Sequence, residues 1–146
     1  LGAVDDANDL LEQLTYLPLA IVQAASFIDK NDIRLRDYIS LLGNQEKRAI
    51  ELLIRDFEDD GRYQDVKNPV ATTWIISFEQ IRKNDSLASD YLTFMACIDA
   101  KDIPLTLLPP GPSPLERTVA MGTLKAYSLS PNRLQDYLLI STGLCI

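Results

Sequence analysis

The stretch Tyr16-Leu17-Pro18-Leu19-Ala20-Ile21-Val22-Gln23-Ala24-Ala25-Ser26-Phe27-Ile28 sets the fold class. Leu17, Ala20, Ile21, Ala24, Ala25 and Ile28 recur at the three- and four-residue spacing of one helix face. Pro18 suits the first turn of that helix, where its missing N–H leaves no acceptor unserved. Ala20, Ala24 and Ala25 are small enough to let a second backbone come close. The run is shorter than the ~20 residues a membrane helix needs, and Pro18, Gln23 and Ser26 interrupt it. It reads as a helix of a soluble bundle with no membrane partner. Asp29, Asn31 and Asp32 close it.

On either side the same period continues. Asp5 or Asp6 is expected to cap a first helix through Leu14, with Leu10, Leu11 and Leu14 facing inward. Downstream the pattern predicts a helix over Leu35–Leu42, stopped by Gly43-Asn44, and another over Gln45–Phe57 with Ile50, Leu53, Ile54 and Phe57 on one face. The acid-rich run 58–65 reads as a hinge between two subdomains. Asn68-Pro69 reopens the helical pattern as cap and first residue. Val70, Trp74, Phe78 and Ile81 then form a stripe with Ile75 beside it. Asn84-Asp85-Ser86 is a turn and a fresh cap, followed by Leu87, Tyr91, Phe94, Met95 and Ile98. Ile103–Leu108 is a short apolar element of one or two helical turns, and 109–112 is a rigid proline loop. Ser113-Pro114 caps a last helix through Leu115, Val119 and Met121 to Leu124 or Lys125. Tyr127–Leu129 and Tyr137–Ile140 read as two strands around Pro131-Asn132-Arg133.

Composition narrows the chemistry. The 146 residues hold 14 Lys and Arg against 21 Asp and Glu, a net charge of −7, which repels phosphate backbones and argues against a nucleic-acid partner. The chain has no histidine, so a histidine triad, a histidine metal site and a histidine pH switch are excluded within it. Two cysteines fit a reducing, cytoplasmic setting, and Cys97, on an apolar stripe, is expected to be a buried structural thiol. Asp56–Gly61 imitates the first half of a calcium loop, but the twelfth position is Lys67, a cation where the metal needs a carboxylate. Neither G-x-x-x-x-G-K-[ST] nor G-x-G-x-x-G is present, so the chain cannot hold a nucleotide by itself. Trp74 reads as a core anchor. No catalytic apparatus is visible, and the expectation is that the chain is not an enzyme. It begins at Leu1, which reads as a fragment of a longer protein.

Leu14-Thr15-Tyr16-Leu17-Pro18-Leu19-Ala20-Ile21 resembles the Gly-Leu-Pro-Leu-Ala motif that follows the nucleotide-binding core of NB-ARC proteins, the STAND-type signalling ATPases. Trp74–Ile81 is similar to the Ser-Tyr-x-x-Leu helix of that family, and Tyr91–Leu108 to its Cys-Phe-Leu segment. Asp56–Ala71 resembles fungal members, in which tetratricopeptide repeats often follow. The resemblance covers about residues 7 to 128. Two departures stand out: Tyr16 occupies the place of the family's glycine, and the chain lacks the histidine of the Met-His-Asp-like motif.

The resemblance implies a mainly α fold: an ARC1-like helical bundle over 1–65, then a winged-helix-like domain over 68–146, atypical or truncated at its end, with a short β-hairpin. It implies that Leu17 and Pro18 pack on the adenine of ADP or ATP bound by an upstream NTPase core outside this chain. The partners it implies are that core and a downstream repeat domain. The expected role is a regulatory arm of a nucleotide-dependent signalling switch. The alternatives are a stand-alone helical interaction module or a degenerate fragment.

Overall fold

The computed structural model describes residues 2–57, 68–98 and 103–129, with 49–57 and 105 as backbone. They form two compact units, Leu1–Ser77 and Phe78–Ile146. Among the described residues the regular structure is helical: α1 Gly2–Gln13, α2 Pro18–Asn31, α3 Leu35–Phe57, α4 Pro69–Asn84, α5 Ser86–Ala96 and α6 Pro114–Ala126, with one 3-10 turn at Leu105–Leu107. The mainly α expectation holds. The expected hinge at 58–65 lies outside the described residues.

In the first unit α1 and α2 pack against α3. Leu10 and Leu14 of the α1 segment, Ala20, Ala24 and Phe27 of α2, and Tyr38 and Leu42 of α3 are buried. Asp6 does not cap α1, which starts at Gly2. Its carboxylate instead accepts a bond from Arg36 at 2.9 Å, joining α1 to α3. Arg34 holds the Asp37 carboxyl below its ordinary value through a 2.9 Å bond in the exposed first turn of α3.

The two helices expected over 35–57 are one. Gly43 does not take the left-handed conformation that would end a helix there, so the backbone runs through it. A glycine inside a helix costs about 1 kcal/mol relative to alanine, too little to break a helix anchored by buried Tyr38 and Leu42.

The second unit packs α5 against α6. The Asp85 carboxylate does two jobs. Oδ1 accepts from the Ala88 amide at 3.0 Å, capping α5, and Oδ2 accepts from the Thr123 hydroxyl of α6 at 2.8 Å. Asn68 and Ser113 also cap as expected, accepting from Ala71 and Glu116 amides at 3.0 and 3.2 Å. Gly111, in the proline loop, is needed for space. A Cβ there would sit 2.7 Å from Arg117 Cγ and 3.3 Å from the Tyr91 hydroxyl.

The expected strand at Tyr127–Leu129 is instead the end of α6. Ser128 turns left-handed (φ 56°), its amide bonds to the Lys125 carbonyl, and the Leu129 amide bonds to the Leu124 carbonyl. This is a Schellman closure, sealed by burial of Leu124 and Leu129. No strand occurs among the described residues, and the second expected strand, Tyr137–Ile140, lies outside them.

Candidate functional site

The Leu17-Pro18 motif is built by the way α1 ends. The Thr15 amide donates to the Glu12 carbonyl at 2.9 Å and the Tyr16 amide to the Leu11 carbonyl at 3.0 Å, again a Schellman closure. Both residues take positive φ, 52° and 54°. The chain then straightens at Leu17 (φ −73°, ψ 118°), and Pro18 opens α2. The Leu17 carbonyl accepts from the Ile21 amide at 3.0 Å, which fixes the start of the helix.

Buried Leu14 and Ala20 anchor the turn from either side. Between them Tyr16 is 61% exposed, Leu17 40% exposed, and Pro18 also faces solvent. Leu17 and Pro18 are therefore an accessible apolar surface on a hydrogen-bonded turn, not core. Tyr16 is not among the site residues read from sequence, although it belongs to the same surface. A bulky residue where a glycine conformation is required was the available signal.

Several other sequence expectations fall differently. Cys97 is exposed, not a buried thiol, because α5 turns Ala88, Tyr91, Leu92 and Met95 inward. Of the α4 stripe, Val70, Trp74 and Phe78 are half-buried and Ile81 is buried, and the same helix also buries Thr72, Thr73, Ile76 and Ser77. On α6, Leu115 (72%) and Val119 (56%) are exposed, whereas Ala120 and Leu124 are buried. The calcium-like run lies largely outside the described residues. Among the described residues no three Cys, Asp or Glu come together as metal ligands. No described helix is long and apolar enough to cross a membrane.

No family model matches the chain, and no solved structure matches it. Over 127 residues it is 46% identical to a protein of Hyaloscypha variabilis described as a nucleotide-binding leucine-rich repeat (NLR)-like protein. The match covers 85% of this chain and 13% of that protein. At a coarse level, this similarity to a short part of an NLR-like protein of fungal origin supports an NLR or NB-ARC type of relationship for the chain.

Proposed function

We propose that the chain is a regulatory arm of a nucleotide-dependent signalling switch. Leu17 and Pro18 pack on the adenine of ADP held by a nucleotide-binding core elsewhere in the full-length protein. The arm acts by favouring one arrangement of that protein when ADP is bound, so it needs no hydrolytic residues of its own. Its partners in this reading are that core and a downstream repeat domain, and it works in the cytoplasm.

One observation carries the reading: Leu17 and Pro18 stand exposed on a turn that buried Leu14 and Ala20 hold in place. A motif residue sealed in the core could not reach a ligand. The relative's description as nucleotide-binding supports the same reading. The test is the ADP-dependent rise in melting temperature of the full-length protein. Leu17→Asp and Pro18→Ala are expected to cut ADP affinity at least severalfold while the isolated chain melts as before. An ADP response indifferent to both substitutions rejects the proposal.

A second reading, a helical protein-interaction module, is favoured by exposed Leu107, Leu115 and Val119 in the second unit. It predicts partner binding lost on Leu115→Asp and unaffected by nucleotide.

A further inference from the structure

The turn before Pro18 carries more backbone strain than closing α1 requires. A Schellman closure needs one left-handed residue just past the helix, and Thr15 is that residue here (φ 52°). Tyr16 follows it in the same conformation (φ 54°), and the Leu17 amide donates to the Leu14 carbonyl at 3.1 Å across the pair. Positive φ at both central residues is the mark of a mirror-image turn, which favours Asn and Gly at those places. This chain puts a β-branched residue and an aromatic one there, and for such side chains positive φ is an outlier.

The tyrosine ring does not offset that strain by burial, since Tyr16 is 61% exposed. The surface it joins is uncharged. Leu17 and Pro18 are exposed, as is Val22 one turn further along α2, and no Asp, Glu, Lys or Arg occurs between Leu14 and Ile28. Such a surface suits the flat face of a heterocyclic base and brings no charge to its phosphates. Strain that the fold does not offset points to a residue held for a ligand.

We infer that Tyr16 stacks its ring on the adenine base, beside the contact proposed for Leu17 and Pro18. The inference rests on that reading of the motif. A single base–aromatic stack raises affinity by roughly tenfold. Glycine at this position relaxes the backbone but supplies no ring. Stability and nucleotide affinity therefore pull in opposite directions at this one residue, as they do at sites where strain serves function.

The test measures ADP affinity by titration calorimetry, and melting temperature without nucleotide, on the full-length protein and its Tyr16→Phe, Tyr16→Leu, Tyr16→Gly and Leu17→Asp variants. Tyr16→Phe should bind ADP as the parent does. Tyr16→Leu, which keeps bulk but has no aromatic face, and Tyr16→Gly should each lose roughly tenfold in affinity, with Tyr16→Gly melting no lower than the parent. Parental ADP affinity in Tyr16→Leu or Tyr16→Gly, with Leu17→Asp still impaired, overturns the stack and leaves the proposed function standing. ADP affinity indifferent to all four substitutions overturns both. A Tyr16→Gly variant that melts below the parent makes the ring a structural prop and overturns the inference.

Discussion

The Tyr38 ring on α3 lies 5.4 Å from the Phe27 ring on α2, tilted by 49°, and its hydroxyl ends buried without a hydrogen-bond partner among the described residues. The ring contact stabilises the α2–α3 interface, whereas the hydroxyl costs desolvation it does not recover. Tyr38→Phe keeps the ring and removes that cost. It should raise stability by about 1 kcal/mol in a urea titration.

Burial also pushes the Tyr38 hydroxyl well above its ordinary pKa of 10.0. The folded state keeps the proton that the unfolded chain loses near pH 10. The hydroxyl's cost is therefore constant below pH 10 and grows as pH rises beyond it, because the unfolded chain gains by ionising Tyr38 and the folded state does not. The stability advantage of Tyr38→Phe over the parent should widen above pH 10 and be constant between pH 6 and 9, as read by denaturation at each pH.

At Tyr16 the left-handed backbone costs a non-glycine residue about 1–2 kcal/mol, and an exposed ring recovers little of it by burial. Tyr16→Gly relieves the strain but adds freedom to the unfolded chain. The net expectation is a gain of roughly 0.5–1 kcal/mol. Tyr16→Ala, which retains a Cβ, should give no such gain. A parallel denaturant series on both variants separates strain from side-chain size.

Gly43 has open space where a Cβ would go and lies inside α3 without positive φ. Gly43→Ala should therefore stabilise the chain by about 0.5–1 kcal/mol and raise its helical circular dichroism. A helix-ending glycine in left-handed conformation would respond with the opposite sign, so this variant tests the continuity of α3.

Asp85 serves the α5 amides with one oxygen and Thr123 with the other. Asp85→Ala should cost about 2 kcal/mol, the cap and the interhelical bond together. Thr123→Val should cost about 1 kcal/mol. Because both substitutions remove the same bond, their double variant should cost less than the sum, which a double-mutant cycle measures.

Much of the helical framework was legible because its signals are local. Pro18, Asn68-Pro69, Asp85 and Ser113-Pro114 each mark a helix start through backbone chemistry that neighbours supply. Leu17 and Pro18 could be singled out from motif resemblance alone. Their exposure could not, since it depends on how Leu14 and Ala20 are buried by the rest of the unit.

Where the tertiary structure departs from the local pattern, the physical source is packing. Local propensity alone marks Gly43 as a stop and Tyr127–Leu129 as a strand, whereas packing carries α3 through Gly43 and folds Leu129 back over Leu124. Hydrophobicity alone points the Val70, Trp74, Phe78 and Ile81 stripe of α4 inward, yet of these four only Ile81 is fully buried. Which face is buried depends on what lies opposite, and small or hydroxyl-bearing residues fit closer neighbours.

The amino-acid sequence by itself determined an acidic, helix-rich chain without histidine chemistry, and where most of its helices begin, because charge and capping act over a few residues. Only the tertiary structure decided that Tyr16, Leu17 and Pro18 face outward and that α3 is continuous. Those outcomes depend on contacts between segments far apart in the chain, whose energies no local pattern records.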